Sequence, residues 1–132
     1  MNKKIKIFKC DKCGNIIIKL NDCGNDDFFC CNQLMEFLEP NRTEIGSEKH
    51  IPFIAKKTTN KNTTNISVRI GEIEHPFSNS HYIEWIGNFS DHEWTIKWMK
   101  SFSEKPEKNI SIDKDSEINL YSYCNVHGLW KK

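Results

Sequence analysis

A lone cysteine near the C-terminus and four histidines spread along the chain have the chemistry that suits a redox metal. The cysteine is Cys124, and the imidazoles belong to His50, His75, His81 and His127. Four neutral imidazoles can form a plane around a ferrous ion, and one thiolate can lie on the axis and push electron density toward an open opposite position. The pattern therefore predicts an iron site that is open to a small anion.

Four further thiols near the N-terminus form a second candidate ligand set. They belong to Cys10, Cys13, Cys30 and Cys31, and four thiolates are enough to close a tetrahedral site around iron or zinc. The spacing of Cys10 and Cys13 lets both sulfurs reach one metal, and Gly14 can take the left-handed conformation that such a turn requires. Cys30 and Cys31 are adjacent, so they can share a metal only if the backbone between them bends. Iron and structural zinc both remain open for this set.

Other reactive or aromatic residues have simpler interpretations. Cys23 lies in the Asn-, Asp- and Gly-rich segment 21–27, which is predicted to be a turn, so it is interpreted as a free thiol. His92 has an acidic residue on each side and is predicted to lie in a solvated turn. The large aromatic residues of the C-terminal part are expected to fill a core: Tyr82, Trp85, Trp94, Trp98 and Trp130.

Length and composition favour a small module followed by one larger domain. The chain has 132 residues and six cysteines, five of which precede residue 32. A unit of fewer than about 40 residues usually needs a metal or disulfides to stay folded. Pro40 follows a short apolar cluster and is a plausible hinge. We therefore predict a metal-organised module over 1–39 and a domain over 40–132.

Apolar residues alternate with polar ones in several segments, which is the pattern of strands with one wet face. Asn, Ser, Gly and Pro clusters at 57–64 and 101–109 are predicted to separate strands. The sequence therefore predicts an all-β protein, with a metal-clasped hairpin module followed by an antiparallel β-sandwich. The predicted strands cover 4–9, 16–20, 66–70, 94–98 and 110–113.

Charge and hydropathy exclude several classes of function. The net charge is +1, so nothing indicates a nucleic-acid footprint or a basic membrane-binding face. The basic N-terminus lacks the continuous apolar stretch of a secretory signal, and no run approaches the length of a membrane span. We therefore expect a cytoplasmic protein, in which closely spaced cysteines are more often metal ligands than disulfides.

Three separated blocks of sequence carry a resemblance to a known family. They are Glu48-Lys49-His50-Ile51-Pro52, the stretch from Glu74 to Ile86 with its two histidines, and Cys124-Asn125-Val126-His127-Gly128-Leu129-Trp130. With them the chain resembles desulfoferrodoxin, the two-iron form of superoxide reductase, over nearly its whole length. The N-terminal cysteines resemble the desulforedoxin-type module, which binds iron through four cysteines.

The resemblance implies two iron centres per chain and an immunoglobulin-like C-terminal sandwich. Cys124 would be the axial ligand of a square-pyramidal ferrous site, and a second iron would be held by the four N-terminal cysteines. The equatorial ligands would be His50, His75, His81 and His127. For the four-cysteine centre, the resemblance favours iron over zinc.

The resemblance also implies an activity and partners. In that family, superoxide is reduced by one electron to hydrogen peroxide, the electron commonly comes from rubredoxin, and the protein is a homodimer. The residue matching Glu48 can occupy the sixth position of the oxidised iron, and the one matching Lys49 attracts superoxide and aids its protonation. Two other functions are alternatives. A rubredoxin-like electron carrier gains nothing from an open position beside a lysine, and a zinc-stabilised binding module would be colourless.

Overall fold

The computed structural model describes residues 5–41, 50–71, 78–99 and 106–132. The chain folds as two compact units, Lys3–Glu39 and Pro40–Lys132. The described residues form twelve β-strands, as expected for an all-β protein. Within the described ranges, no helix is both long enough and apolar enough to cross a membrane.

The N-terminal unit consists of five short strands. The central strand β1 pairs antiparallel with β2 and β5, and β3 and β4 form a separate hairpin. Phe8, Cys10 and Met35 are buried together, and Phe28 packs edge-on against Phe8 with the ring centroids 5.0 Å apart. The strands are β1 (Ile7–Lys9), β2 (Ile16–Ile18), β3 (Phe29–Cys30), β4 (Gln33–Leu34) and β5 (Glu36–Phe37).

The C-terminal unit is a sandwich of two antiparallel sheets. One sheet has the order β10-β7-β6 and the other the order β12-β11-β8-β9, so the predicted antiparallel sandwich is confirmed. The strands are β6 (Pro52–Thr59), β7 (Thr63–Ile70), β8 (Ile83–Phe89), β9 (Trp94–Trp98), β10 (Glu107–Asp113), β11 (Leu120–Cys124) and β12 (Gly128–Lys131).

Alternate residues of β7 and β10 point into the core of the sandwich, whereas β8 and β11 are buried along almost their whole length. In β7, for example, Ile66, Val68 and Ile70 are buried while Ser67 and Arg69 face outward. Burial of this alternating apolar face is the main stabilising contribution of such a sheet. Cys124 belongs to the same buried cluster, which places its sulfur at the edge of the hydrophobic core.

The segment 57–64 is more regular than the sequence suggested. Strand β6 continues to Thr59 and β7 begins at Thr63, so only the residues between them form a turn. Asn60 organises this turn, because its Oδ1 accepts hydrogen bonds from the backbone N–H of Asn62 at 3.1 Å and of Thr63 at 2.8 Å. The β-branched threonines on both sides favour strand conformation, and the polar composition concealed that preference.

Trp98 is a correction to the predicted core. Trp85 and Trp130 are buried, but Trp98 is 64% exposed. It ends β9, which lies at the edge of its sheet and pairs with β8 on one side. Alternation along an edge strand does not require a buried face, because the opposite sheet need not extend over its end.

Candidate metal centres

The four N-terminal cysteines lie on two tight turns of the same unit. Cys10 directly follows β1, and its carbonyl accepts a hydrogen bond from Gly14 N–H at 2.8 Å. Gly14 has φ of +82°, the left-handed conformation that the sequence indicated. The second turn joins β3 to β4, and Cys31 and Asn32 there have φ of +53° and +61°. Two successive left-handed residues are typical of a tight hairpin turn, and they supply the bend that adjacent cysteine ligands require.

The sulfur atoms of the four cysteines converge with the spacing of a tetrahedral site. All four lie within 4.8 Å of one another. The sulfurs of Cys13 and Cys30 are 3.5 Å apart, and those of Cys30 and Cys31 are 4.0 Å apart. Four thiolates at about 2.3 Å from one ion would be separated by about 3.8 Å. The arrangement therefore fits a metal that is saturated by sulfur.

The thiols of this cluster differ in acidity. The pKa of Cys10 is lowered to about 7, chiefly because the backbone N–H of Cys13 stabilises its thiolate. The pKa of Cys31 is raised to about 12 by hydrogen bonding with the thiols of Cys13 and Cys30 and by desolvation. Several thiolates close together repel one another, so the fully ionised set requires a bound cation.

A second group of donors lies at one end of the sandwich. Three histidines and one cysteine, His50, His81, Cys124 and His127, have ligand atoms within 4.8 Å of one another. His50 and His81 come shortly before β6 and β8, whereas Cys124 ends β11 and His127 lies in the turn before β12. Antiparallel pairing of β8 with β11 brings the start of one strand to the end of the other, which explains how distant residues meet.

The three imidazoles are arranged around a common centre. Nδ1 of His127 is 3.1 Å from Nε2 of His50 and 3.9 Å from Sγ of Cys124. The His127 ring stands at 76° to the His50 ring and 69° to the His81 ring, whereas the His50 and His81 rings are inclined by only 26°. Nitrogens of neighbouring ligands at about 2.1 Å from one ion would be about 3 Å apart. These donors fit iron, because imidazole with one thiolate is a ligand set that iron accepts.

Hydrogen bonds fix the turn that carries His127. Asn125 donates from Nδ2 to the carbonyl of Ser80 at 3.0 Å, and its Oδ1 accepts from the N–H of Tyr82 at 2.8 Å. It thereby joins this turn to the residues on both sides of His81. The backbone N–H of His127 also lies 3.5 Å from Sγ of Cys124.

Cys124 is fully buried, which affects its ionisation. Burial raises the pKa of its thiol, and the backbone N–H groups of His127 and Val126 oppose this effect by favouring the thiolate. Desolvation disfavours a charged sulfur unless a cation is close. A bound metal ion would therefore both require and stabilise the deprotonated form.

His50 has two neighbours whose functional relation to it the sequence did not indicate. The Ser122 hydroxyl donates to the His50 carbonyl at 2.6 Å, and the Trp130 indole stacks on the His50 imidazole with centroids 4.6 Å apart and planes inclined by 13°. Ser122 and Trp130 stand opposite each other in the pairing of β11 with β12. Only the strand register reveals this relation, although the sequence does predict Trp130 to be a core residue.

Not every predicted site residue can be placed. His75, Glu48 and Lys49 lie outside the described residues. The other eight predicted ligands form the two groups above, and their role as ligands stays a prediction. Cys23 is an exposed free thiol and belongs to neither group. His92 lies between β8 and β9, at the end of those strands away from His81.

An antiparallel sandwich with a thiol–imidazole group at one end, accompanied by a four-sulfur module, defines a class of all-β metalloproteins with two metal centres. Two family models match this chain. The model described as Desulfoferrodoxin matches residues 42–132, and the one described as Desulfoferrodoxin, N-terminal domain, matches residues 2–38. The chain belongs to the desulfoferrodoxin family.

Curated relatives support the assignment over the whole chain. A desulfoferrodoxin homolog from Methanothermobacter thermautotrophicus is 36% identical over 130 residues, which cover 98% of this chain and 99% of the relative. The desulfoferrodoxin of Nitratidesulfovibrio vulgaris is 34% identical over 131 residues, covering 99% of this chain and 98% of the relative. The family's donor sets and the two groups present here are consistent with two iron centres.

Solved structures share the fold. The superoxide reductase from Treponema pallidum superposes with a TM-score of 0.75 over 100% of this chain and 99% of its own, at 20% identity. The superoxide reductase from Nanoarchaeum equitans covers 64% of this chain and 90% of its own, with a TM-score of 0.56 and 25% identity. At 20% identity, the protein from Treponema pallidum shares the fold with this chain and shows nothing further about it.

Proposed function

We propose that this protein is a superoxide reductase, which reduces superoxide by one electron to hydrogen peroxide. The observation that carries the proposal is the convergence of Cys124 with His50, His81 and His127 at one end of the sandwich. Relatives named superoxide reductase share the fold, and family membership supports the same activity. The balanced reaction consumes one superoxide, one electron and two protons for each peroxide formed.

We propose that His75 completes the set as a fourth imidazole beside Cys124. Iron held by these residues would supply the one-electron reduction of a small anion. The protein's own contribution is to hold the donors. Asn125 fixes the turn of His127, and the hydrophobic core encloses Cys124, so water is excluded from the sulfur.

Two residues next to His50 in the sequence are assigned supporting roles. Lys49 precedes His50 directly, and its ammonium group would attract the superoxide anion and organise the water that supplies protons. Glu48 would supply a carboxylate to the oxidised centre. The chain carries a net charge of only +1, so any attraction for an anion must come from such local charges.

We propose a separate role for residues 1–39, the desulforedoxin-like module, and assign catalysis to the domain over 40–132. A ligand-saturated sulfur site keeps its geometry when the oxidation state changes, so Cys10, Cys13, Cys30 and Cys31 would hold an iron for electron transfer or for structure. The electron donor would be a rubredoxin-like protein and the assembly a homodimer. A cytoplasmic location agrees with cysteines arranged as ligands rather than disulfides.

The decisive experiment measures the ratio of products. Reduced protein is mixed rapidly with superoxide, and peroxide formed is compared with superoxide consumed and with electrons lost by the protein. A reductase gives one peroxide per superoxide, whereas dismutation gives one peroxide per two. An electron carrier without catalysis would leave superoxide to decay at its spontaneous rate. Metal analysis with an optical spectrum should find two irons per chain and the red colour of a four-sulfur ferric centre.

A further inference from the structure

We propose that Ser122 and Trp130 act together as positioning residues for His50. The inference deepens the proposed function, since it concerns the geometry of the same site. Ser122 holds the backbone of His50 through a hydroxyl-to-carbonyl hydrogen bond of 2.6 Å, and Trp130 holds its ring by stacking at 4.6 Å. Because the two residues face each other across β11 and β12, one cross-strand pair fixes both the backbone and the side chain of one donor.

His50 needs such positioning because of where it enters the sandwich. Among the described donors, His81, Cys124 and His127 adjoin strands of the sheet β12-β11-β8-β9, whereas His50 precedes β6 of the other sheet. The carbonyl of Ile51 accepts a hydrogen bond from Gly71 N–H at 3.0 Å, at the end of β7. The carbonyl of His50 is therefore bound by a residue of β11, and the carbonyl of Ile51 by the residue that follows β7 in the other sheet. The bond from Ser122 links His50 to the strand that carries Cys124.

The stack on Trp130 orients the imidazole without occupying its nitrogens. Planes inclined by only 13° place one face of the His50 ring against the indole, so the stack itself does not use the ring nitrogens. Nε2 at the ring edge is the atom that lies 3.1 Å from Nδ1 of His127. A flat, wide partner opposes rotation about the last side-chain bond, so Nε2 stays directed into the donor group.

The face of Trp130, rather than its polar edge, carries this role. The side chain is 2% exposed, and its Nε1 has no hydrogen-bond partner among the described residues. Burial of a donor without an acceptor opposes stability, so removal of the N–H should cost no hydrogen bond. Trp130→Phe removes this N–H but keeps an aromatic face, and it should preserve the position of the His50 ring. Trp130→Leu, which removes the flat face, should not.

Cobalt(II) binding to the metal-free full-length protein tests the proposal without reference to catalysis. Its visible absorption reports the ligand set, so the four-cysteine cluster serves as an internal reference in the same titration. Ser122→Ala should weaken cobalt binding at the histidine–cysteine group by about 10- to 100-fold and leave the cluster unchanged. Ser122→Thr, which retains a hydroxyl, should recover most of the affinity.

Ser90→Ala is the matched control. Ser90 is also buried and also donates its hydroxyl to a backbone carbonyl, that of Glu93 at 2.8 Å, but at the other end of the sandwich. This variant should lose stability as Ser122→Ala does and keep its cobalt affinity. Joint replacement of Ser122 and Trp130 should weaken binding by less than the product of the single effects, because both act through His50.

The outcomes separate this inference from the proposed function. Equal cobalt affinity in Ser122→Ala and Ser90→Ala would overturn the positioning role, whatever the enzyme does with superoxide. Loss of cobalt affinity in Ser122→Ala, in a protein that does not reduce superoxide, would uphold the positioning role and reject the reductase. Ser122→Ala removes a single oxygen atom and introduces no clash, so a folded variant is expected. If Trp130→Leu does not fold, the cobalt affinity of Trp130→Phe alone tests the role of the aromatic face. A large loss of affinity in Trp130→Phe would contradict that role.

Discussion

Nδ1 of His127 lies 3.1 Å from Nε2 of His50, although 77 positions separate the two residues in the sequence. At this distance the two nitrogens cannot both carry a proton without repulsion. Either one donates to the other, or both direct lone pairs to a shared cation. Ligand atoms of His81 and Cys124 lie within 4.8 Å of this pair, so a shared cation would find four donors already close together.

Replacing Cys124 should remove one metal ion. Because its sulfur is buried beside the histidines, Cys124→Ser exchanges a soft ligand for a hydroxyl that is hard to ionise. Iron content is expected to fall from about two per chain to about one. Elemental analysis checks this, with Cys23→Ser as the control, since that exposed thiol lies outside both donor groups. Retention of both irons in Cys124→Ser would contradict the assigned ligand.

Removing the charge of Lys49 should slow the encounter with superoxide. Lys49→Ile is expected to lower the second-order rate by about tenfold at low ionic strength and to flatten its dependence on salt. Pulse radiolysis measures this rate. Lys61→Ile makes the same charge change in the turn between β6 and β7. That turn is about 30 Å along the chain direction of β6 from His50, so the control should change the rate little. An equal decrease in both variants would assign the effect to net charge.

Acid should weaken the N-terminal unit through Asp26. Its carboxylate accepts hydrogen bonds from Lys19 at 2.7 Å and Lys6 at 3.0 Å, and these ammonium groups hold the pKa of Asp26 below its usual value of 3.8. The folded state therefore binds fewer protons than the unfolded state in this range. The stabilisation is complete above the unfolded pKa and is lost as pH falls through the folded value.

The Asp26→Asn variant tests the direction of this dependence of stability on pH. It should be less stable than the parent near pH 7, and the difference should begin to decrease as the pH falls below about 4 and vanish only below the lower pKa of Asp26 in the folded state. Urea unfolding monitored through the four-sulfur absorption gives both stabilities. Asp27→Asn removes an adjacent exposed carboxylate that takes no part in the described ion pairs of Lys6 and Lys19. A difference that grew on acidification would contradict the prediction.

The left-handed backbone at Asn32 should be sensitive to side-chain shape. With φ of +61°, Asn32→Gly should be tolerated, whereas Asn32→Val should lower the free energy of unfolding by about 1–2 kcal/mol. Urea unfolding at constant metal loading measures the difference. Asn62→Val, in a hairpin turn whose residues are not left-handed, is the control. Equal stability of the valine and glycine variants at position 32 would mean that the turn relaxes.

The sequence predicted the donor residues and the periodicity of the strands better than it predicted the residues that hold the donors in place. The spacing of Cys10 and Cys13 by itself indicates ligands of one metal, whereas the joint role of Cys124 and His127 was predicted from the five donors taken together and from the family resemblance. Ser122 and Trp130 become related only through the register of β11 with β12. That register is set by the length of the turn between the two strands, and the sequence analysis had not located the bounds of either strand. The prediction of a buried Trp98 is wrong for a different reason, since alternation does not reveal which strand lies at an edge.

The division of the donors between the two units has a consequence for damage and repair. All four N-terminal sulfurs come from Lys3–Glu39, and the described histidine and cysteine donors come from Pro40–Lys132. Among the described residues, each donor group consists only of residues from its own unit. Oxidative loss of the metal ion from one unit would thus leave the donors of the other unit in place. A new ion could then bind to the depleted group without refolding of the entire polypeptide.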